Sequence, residues 1–536
     1  MNIACIRHSQ IPGASPLFLD LLYRFDRVSH YYPHPPTLER APAIAESIDF
    51  PAERRQALVE ALRDRNALCG PSTQEALARL AEPETVVVAT GQQVGLFGGP
   101  VFALYKALTA AKHAAWLTEQ GRPAVAVFWL ATEDHDLAEI DHARVLDAEN
   151  QTRTVRAATE SAPDQPAGRA RVTDFGLDQL REALEGLDFA DETLELVREA
   201  YAESPTFGDS FATLFARLLE PYGVILLDPL APGIRRLAAP LVRKALERNG
   251  ELNEALRERG AELEDDGYHA QVQVSDETSL LFLLDKQRRK VLRRATDGDS
   301  GFQAGGASYT LDELVARLDA DPEAFSPNAL LRPVIQDWLL PTVAFVAGPS
   351  ELAYLAQSAV IYERLLGRAP VFLPRASFTL FDHRRRKLLE RHRLAPSELF
   401  VPADDLRRRI GRSLTPPEVL RGVELSRKRI ETAVADLDRT LSDFDPTLAE
   451  ALGRSRKKML YQVGKISSKI EREAVARDEQ AERETEGLAA WTYPHRNPQE
   501  RYYGILPFLA RFGPRLSETV YEAIRHDCPD HQALAL

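Results

Sequence analysis

A dense group of ionisable side chains follows an apolar stretch, AVAVFWLA, at residues 124–131. The group consists of Glu133, Asp134, His135, Asp136, Glu139, Asp141 and His142. Where carboxylates crowd together at the end of a buried strand, the pKa of some of these carboxyl groups is raised. The imidazole of His135 is also held close to these acids. Because this setting suits proton transfer, we expect the first four residues of the group to be catalytic acids and bases.

The same group has a second interpretation, because two histidines with carboxylates between them can bind a divalent metal. His135 and His142 are spaced more widely than the histidines of a typical zinc motif such as HExxH. We therefore assign no metal, and we place His142 among the substrate-binding residues. The alternatives are a metal-dependent hydrolase or nucleotidyl transferase that uses residues 133–142, and a polar loop that only caps the next helix.

A glycine-rich stretch, ATGQQVGLFGGP at residues 89–100, lies between an apolar run and a helical pattern. Glycines let a backbone approach a ligand closely, and free amides at a helix N-terminus favour an anionic group. Neither GxGxxG nor GxxxxGK[ST] is present, so the stretch matches no standard nucleotide fingerprint. We expect it to bind substrate, although a tight turn that only permits close packing is the alternative. The assigned residues are Gln92, Gln93, Gly95, Gly98, Gly99 and Lys106.

A similar arrangement follows the apolar run VAFVA at residues 343–347. Gly348 comes directly after the run, and Glu351 and Tyr354 fall in the first turns of the helical pattern that follows. Arg332 precedes the run and Arg375 follows the next one, where guanidinium groups suit carboxylate or phosphate ligands. We assign all five of these residues to substrate binding.

Apolar runs of the length of a strand precede most of these candidate residues and predict the strands that hold them. They lie at 85–90, 124–131, 224–228, 279–284, 343–347 and 371–373. Their continuous apolar character suits strands covered on both faces, as in a parallel α/β sheet. The clearest unit is a strand at 85–90, a helix at 100–119 and a strand at 124–131, which form one βαβ crossover. The predicted class is therefore α/β with a Rossmann-like parallel sheet, in which ligands bind beyond the carboxyl ends of the strands.

The character of the sequence changes along the chain in a way that predicts three parts. Residues 1–385 are expected to form the core, with polar insertions at about 147–220 and 250–330. Residues 386–490 are expected to form an antiparallel helical coiled-coil domain, and residues 491–536 to return to the core. The returning part is rich in aromatic and turn residues, and we assign Arg496 and Arg501 within it to cofactor binding.

Apolar residues recur at alternating steps of four and three in the second part, which is the seam spacing of a coiled coil. They are Ile430, Val434, Leu437, Leu441 and Phe444, and then Met459, Val463, Ile466 and Ile470. Between the two groups, Asp445 is a suitable N-cap and Pro446 a suitable first helical residue. Two helices joined by so short a break predict an antiparallel pair. We expect its remaining exposed surface to pair with a second copy and form a homodimer, although an arm that packs only on its own core is the alternative.

Composition narrows the class of partner. The net charge of -13 in 536 residues argues against nucleic acid, which requires a basic surface. The N-terminus lacks the apolar core of a signal peptide, and the sequence has no stretch of about 18 apolar residues for a membrane span. Cys5, Cys69 and Cys528 are widely separated and fit neither a disulfide framework nor a zinc motif, so we expect a reducing, cytoplasmic protein with inert cysteines.

Five motifs of this sequence together resemble the enzymes that add cysteine in bacillithiol biosynthesis, the cysteine ligase family of that pathway. They are TGQQVGLFGGPVFALYKALTA, VFWLATEDHDLAEIDH, ALLRPVIQDWLLPTVAFVAGPSELAYLA, PRASFTL and YPHRNPQERYYG. They occur in the same order as in that family and span nearly the whole chain. Agreement of five separate motifs is much more specific than a single glycine-rich loop.

The resemblance implies a core akin to class I synthetases and nucleotidyl transferases, with connecting insertions and a helical coiled-coil domain that mediates dimerisation. It also implies a reaction that joins the carboxyl of L-cysteine to the amine of glucosaminyl malate, with an adenine nucleotide, ATP or ADP, as a ligand. Amide formation from a free carboxylate is uphill, so we expect an activated acyl group, most simply an acyl-adenylate. His135 or a neighbouring acid would deprotonate the glucosamine ammonium. The chain lacks a HIGH-type motif for adenylate formation. A dimeric scaffold that binds a nucleotide without catalysis is the non-enzyme alternative.

Overall fold

The computed structural model describes residues 3–202, 206–285, 288–295 and 301–536. The strands are β1 (Ile3–Ile6), β2 (Val86–Gln93), β3 (Ala124–Ala131), β4 (His142–Leu146), β5 (Thr152–Arg156), β6 (Ala158–Glu160), β7 (Arg171–Asp174), β8 (Ile225–Leu227), β9 (Thr278–Asp285), β10 (Arg288–Arg294), β11 (Phe302–Ala304), β12 (Ala307–Tyr309), β13 (Phe325–Pro327), β14 (Thr342–Ala347), β15 (Val371–Pro374), β16 (Ser377–Phe381) and β17 (His531–Ala535). The helices are α1 (Pro16–Tyr23), α2 (Ala41–Glu46), α3 (Ala52–Asn66), α4 (Pro71–Ala81), α5 (Phe102–Glu119), α6 (Leu137–Ile140), α7 (Leu177–Leu184), α8 (Ala190–Ala202), α9 (Phe207–Leu218), α10 (Pro232–Glu247), α11 (Asn249–Asp265), α12 (Leu311–Ala320), α13 (Arg332–Leu339), α14 (Pro349–Leu366), α15 (His383–His392), α16 (Ala403–Leu414), α17 (Pro417–Phe444), α18 (Pro446–Ala476), α19 (Glu479–Thr492), α20 (Gln499–Tyr502), α21 (Leu506–Phe512) and α22 (Leu516–Ala523).

A parallel sheet with the strand order β15-β14-β2-β3-β8 forms the centre of the fold. Numbered by their own sequence order, these strands run 5-4-1-2-3, which is the order of a doubly wound Rossmann-like sheet. The winding reverses between β2 and β14, and ligands bind in the crevice beyond the carboxyl ends of the strands at such a reversal. The predicted Rossmann-like parallel core is confirmed.

The crossover from β2 through α5 to β3 explains why its strands are apolar without alternation. Val86 and Val88 of β2 pack in one buried cluster, together with side chains of α5. Val87 and Ala89 point to the opposite face and pack in a second cluster. Because helices cover both faces of the sheet, every position of the strand is buried and selected for apolar character.

The apolar run at 279–284 does form a strand, β9, but this strand does not belong to the parallel sheet. It lies in an antiparallel sheet with the order β12-β11-β10-β9-β13. β10 begins three residues after β9 ends, and a connection this short joins only antiparallel neighbours. An apolar run reports burial and not the identity of the neighbouring strand, so the expectation of a parallel strand here was wrong.

Helices α17 and α18 pack along each other as an antiparallel pair, with Glu431 of α17 near Arg456 of α18. Asp445 alone joins the two helices and accepts a hydrogen bond from the backbone N–H of Thr447, and Pro446 is the first residue of α18. The predicted N-cap and first helical residue are thus confirmed. Some residues of the predicted seam are covered by the other helix of the pair and others stay exposed, because each helix contacts its partner along one face only. The exposed seam residues are Leu437, Phe444, Met459 and Ile466.

The two ends of the chain meet in a small third sheet. β17 pairs with β1 in antiparallel fashion and with β16 in parallel fashion, in the order β1-β17-β16. No helix within the described ranges is both long and apolar enough to cross a bilayer.

Candidate active site

A cavity of about 540 Å³ lies at the carboxyl ends of β2 and β14, where the winding of the sheet reverses. Three stretches predicted separately from the sequence meet in its lining: residues 91–93, residues 133–135 and residues 348–354. The candidate residues that line it are Gln92, Gln93, Glu133, Asp134, His135, Arg332, Gly348, Glu351, Tyr354, Arg375 and Arg501. A pocket of this size is typical of small-molecule sites.

The close approach of β2 and β3 at the cavity depends on Gly91. A Cβ atom at this position would lie 2.7 Å from the Cβ and the carbonyl oxygen of Trp129, a distance that real Cβ atoms do not adopt. Trp129 lines the cavity, and within the described part of the chain its buried Nε1 has no hydrogen-bond partner. Gly91 therefore allows β2 to pass close to the backbone of Trp129.

A buried cation forms the base of one end of the cavity. Lys106 is fully buried, and its Nζ lies 2.5 Å from Oε2 of Glu351 and 3.3 Å from Oε1 of Gln92. Arg332 lies on the other side of the same carboxylate, at 3.7 Å, and donates to the Tyr354 hydroxyl at 3.0 Å. Burial alone would raise the pKa of Glu351, but the charges of Lys106 and Arg332 outweigh burial and hold this pKa below its usual value. Glu351 is therefore ionised, and it neutralises only one of the two cations.

Arg375 reaches the same end of the cavity in a fixed orientation. Its Nη1 and Nη2 bind the two carboxylate oxygens of Glu500 at 2.9 and 2.6 Å. Glu500 also accepts hydrogen bonds from the Ser377 hydroxyl and the Phe378 N–H, and these partners together with Arg375 outweigh burial and lower its pKa to about 2. Arg501 lies nearby, and no carboxylate of the described residues is within ion-pair distance of it.

This end of the cavity carries a surplus of positive charge. It brings together four cations, Lys106, Arg332, Arg375 and Arg501, but only two carboxylates. Helix α14 begins here with Gly348 as its N-cap, and the positive end of its dipole adds to the same field. We call this region the basic end, and its chemistry suits carboxylate or phosphate groups.

The opposite end of the cavity carries the carboxylates of Glu133 and Asp134, with Arg235 and Arg289 at 3.4 and 3.9 Å from them, and we call it the acidic end. Glu133 is 6% exposed, its Oε2 accepts from the Ser326 hydroxyl at 2.7 Å, and Arg235 lies 3.4 Å away. Its Oε1 has no hydrogen-bond partner among the described residues. A buried oxygen left in this state is costly unless a bound ligand supplies a donor. Glu133 is thus placed to accept a hydrogen bond from an ammonium or hydroxyl group.

Asp134 and His135 complete the acidic end. Asp134 accepts hydrogen bonds from the amide of Gln93 and from the backbone N–H of His135. Arg289 of β10 directs Nη1 towards Nδ1 of His135 at 3.3 Å and also donates to Ser326 and Pro327. Burial lowers the pKa of Arg289 despite the neighbouring carboxylates.

Several residues of the cavity were missed by reasoning from the sequence. They are Trp129, Phe282, Arg289, Ser326 and Asn328 in the lining or its support, and Glu500 behind Arg375. Phe282, Arg289 and Ser326 come from the antiparallel sheet, within a stretch interpreted as a polar insertion. Glu500 lies within the returning part of the chain, directly before the candidate Arg501. The only feature of the sequence that pointed to Arg289 was the run of three basic residues, RRK, at 288–290.

The structure places the other predicted residues outside the large cavity. Gly98 and Gly99 have φ of +87° and +66° and form a turn in which Gly98 packs against Phe215 and Gly95 packs on Gly99. These glycines therefore fit the alternative of a tight turn that permits close packing. Asp136 is exposed, and His142 in β4 contacts Asp141 at 3.0 Å. Arg496 lines a smaller cavity of about 180 Å³, which shares Arg375 and Arg501 with the large one.

The residues around the acidic end do not form a metal-binding cluster. Across residues 3–202, 206–285, 288–295 and 301–536, no group of three or more His, Cys, Asp or Glu side chains gathers as metal ligands. His135 and His142, the two candidate ligands, make separate contacts with Arg289 and Asp141. The donor set therefore gives no support to the metal-dependent alternative.

Comparison with protein-family models covers almost the entire chain. Residues 1–376 match the model described as "Bacillithiol biosynthesis BshC, N-terminal Rossmann-like domain". Residues 378–536 match the model described as "Bacillithiol biosynthesis BshC, C-terminal coiled-coil domain". The division agrees with a parallel sheet that ends at β15 and with the long helices α17 and α18.

Full-length relatives carry a single name, "Putative cysteine ligase BshC". The protein of that name from Solibacter usitatus is 44% identical over 537 residues, which is 100% of both chains. The one from Koribacter versatilis is 36% identical over 99% of both chains, and the one from Salinibacter ruber is 31% identical over 98% of this chain and 97% of its own.

Proposed function

This chain belongs to the bacillithiol biosynthesis BshC family, and from this membership we propose that it is a ligase that joins L-cysteine to glucosaminyl malate. The bond formed is an amide between the carboxyl carbon of cysteine and the amine nitrogen of the glucosamine. The product retains the cysteine thiol and is the low-molecular-weight thiol bacillithiol. The charge distribution of the 540 Å³ cavity is the observation that carries this proposal.

The two ends of the cavity match the two ends of the aminosugar substrate. Glucosaminyl malate carries two carboxylates on its malate part and one amine on its sugar. Arg332 and the N-terminus of α14 hold the malate carboxylates at the basic end. Glu133 then faces the glucosamine amine at the acidic end, where its Oε1 is free to accept. This orientation supplies a hydrogen-bond donor to the buried Oε1 of Glu133.

Amide formation requires the amine to lose a proton before its nitrogen can attack. Glu133 is the proposed base, because it lines the cavity and its buried Oε1 has no hydrogen-bond partner among the described residues. Asp134 stabilises the substrate ammonium and holds Gln93 in place. The carboxyl carbon of cysteine gains the nitrogen and loses one oxygen together with its activating group. The tetrahedral intermediate carries negative charge, which the unused N–H of Trp129 can stabilise.

An adenine nucleotide is the proposed source of activation, because amide formation from a free carboxylate is uphill. Arg501 borders both cavities, and Arg496 borders the small one. His495 and Arg496 have positive φ values of 48° and 64°, backbone strain that is typical of functional loops. Neither arginine has an ion-pair partner among the described residues, so both are available for phosphate oxygens.

A homodimer is proposed from the exposed seam of the coiled-coil arm. Leu437, Met459 and Ile466 are 47%, 38% and 58% exposed, and Phe444 at the tip is 81% exposed. Large apolar side chains repeated along one face of a helix pair favour association with a second copy.

The direct test incubates the purified chain with L-cysteine, glucosaminyl malate and ATP, and detects the conjugate by mass spectrometry. We expect a product whose mass corresponds to both substrates less one water. Reactions without each component in turn serve as controls. Absence of the conjugate with ATP, and also with a lysate of a bacillithiol-producing cell as a source of other acyl donors, would contradict the proposal.

A further inference from the structure

Two of the three cysteines meet in space although they lie at opposite ends of the chain. Cys5 is in β1 and is exposed, whereas Cys528 is half-buried in the turn before β17. Their Sγ atoms are 3.8 Å apart. Cys69 is buried elsewhere, and burial raises the pKa of its thiol to about 11, so it is unreactive.

The surrounding hydrogen bonds hold the two thiols in this position. The register of β1 and β17 pairs Cys5 with Gln532, four residues beyond Cys528. The ring Nε2 of His8 donates to the carbonyl oxygen of Pro529 at 3.0 Å. The Tyr23 hydroxyl donates to Asp530 at 2.7 Å and accepts from the backbone N–H of His8. Both chain segments are thus fixed on each side of the thiol pair, and the sulfur atoms need to move only a short distance to bond.

From this geometry we propose that Cys5 and Cys528 form a redox-active dithiol, which small-molecule disulfides oxidise to an intramolecular disulfide. In the first step the Cys5 thiolate attacks the small disulfide, forms a mixed disulfide and releases one small thiolate. In the second step the Cys528 thiolate attacks Sγ of Cys5 and releases the other small thiolate. Two protein thiols lose their protons and are oxidised, and one small disulfide is reduced to two thiols.

Exposure and charge give the two cysteines different roles. Cys5 is open to solvent and is reached first by a small disulfide. Burial raises the pKa of Cys528, so this thiol is protected from direct attack and acts in the second step. The Arg525 guanidinium interacts electrostatically with both thiols.

The disulfide would clamp a segment that forms part of a cavity wall. His531 follows Cys528 closely and contacts Ser377 and Thr379, and His8 and His531 both line the 180 Å³ cavity. A covalent bond between residues 5 and 528 closes almost the whole chain into one loop, and such closure restricts the unfolded chain. Oxidation is therefore expected to raise the midpoint of thermal unfolding.

The experiment uses the full-length chain, first reduced, then desalted and treated with hydroxyethyl disulfide under native conditions. Remaining thiols are alkylated, and the protein is digested and mapped by mass spectrometry. We expect a peptide pair joined through Cys5 and Cys528, a loss of about 2 Da from the intact chain, and full reversal by dithiothreitol. Any one of three results would overturn the proposal. They are stable adducts on both cysteines without a joined pair, disulfides between two chains, and alkylation of Cys5 and Cys528 because both thiols stayed free.

Three further measurements test whether the fold holds Cys5 and Cys528 close together. Cys69→Ser should form the bond at the unchanged rate. Cys528→Ser should stop at a mixed disulfide on Cys5, because the second nucleophile is missing. In concentrated urea the second step should slow at least about tenfold, because unfolding removes the high effective concentration of the two thiols. Equal rates in native and unfolded protein would show that the fold does not position the pair.

Discussion

Nη1 of Arg289 lies 3.3 Å from Nδ1 of His135, so β10 of the antiparallel sheet and the loop after β3 share one hydrogen bond at the acidic end of the cavity. A guanidinium can only donate, and Nδ1 must therefore accept. Neutral His135 then carries its proton on Nε2 and offers a donor, not a lone pair, at that atom. This tautomer favours Glu133 over His135 as the base that receives the proton of the amine.

Glu133→Gln is expected to lower kcat by about 10²- to 10⁴-fold, the usual contribution of a general base. The amide keeps the shape of the side chain and its contact with Ser326 but cannot take up a proton. The measurement is the rate of formation of the conjugate of cysteine and glucosaminyl malate. Glu182→Gln, on the exposed surface of α7, is the matched control and should retain the wild-type rate. Near-normal kcat in Glu133→Gln would exclude it as the base.

Arg332→Gln is expected to raise KM for glucosaminyl malate by about 10- to 100-fold, because charge-assisted hydrogen bonds contribute about 1.5–3 kcal/mol. KM for ATP should change little, since Arg332 does not line the small cavity. Steady-state kinetics with each substrate varied in turn provides the measurement. Arg412→Gln on exposed α16 is the control. A uniform loss for both substrates would point to a general structural defect instead.

Arg501→Gln should show the opposite pattern, with KM for ATP raised about tenfold and KM for glucosaminyl malate nearly unchanged. Arg501 borders both cavities and lacks an ion-pair partner within the described part of the chain. Equilibrium binding of a fluorescent ATP analogue to the variant gives a readout that does not depend on activity. Unaltered nucleotide affinity would remove Arg501 from the proposed nucleotide site.

Glu500→Gln is expected to make the stability less sensitive to acid. Arg375 outweighs burial and lowers the pKa of Glu500 in the folded protein from its ordinary value of 4.5 to about 2. A depressed pKa stabilises the folded state fully above pH 4.5, and this contribution is lost as the pH falls towards 2. At pH 7 the variant should lose about 3 kcal/mol of the free energy of unfolding.

Urea unfolding of wild type and Glu500→Gln at several pH values between 7 and 3 measures this difference. The gap between the two proteins should narrow below pH 4.5. Glu195→Gln, in an exposed pair with Arg198, is the matched control and should leave stability nearly unchanged. A gap that stays constant with pH would mean that folding does not lower the pKa of Glu500.

Lysine substitutions at Leu437 and Ile466 test the proposed homodimer. Both side chains are more than 40% exposed on the coiled-coil arm, so charge at these positions should not disturb the fold of one chain. We expect the double variant to sediment as a monomer where the wild type sediments as a dimer. Thr432→Lys, exposed on the same helix, adds a charge outside the seam and should leave the assembly unchanged.

The sequence alone determined the central sheet and the coiled coil, because both have local signatures. Strand β3 was predicted with its observed bounds, and Asp445 and Pro446 marked the junction between α17 and α18. Glycines and charges after apolar runs also identified the cavity lining on β2, β3 and β14. These features are readable because burial on both faces and helix capping act on residues close together in the chain.

Only the tertiary structure decided how charges are paired and which side chains remain free. Arg289 contacts His135 across 154 positions of sequence, and Arg375 binds Glu500 across 125. No local pattern reports such contacts, because tertiary packing brings the partners together from distant parts of the chain. The same holds for Cys5 and Cys528, which appear isolated in the sequence and become neighbours when β1 pairs with β17. The periodicity of a sequence indicates which residues are buried. The protonation of a side chain and the reactivity of a thiol depend instead on neighbouring residues that only the folded chain brings close.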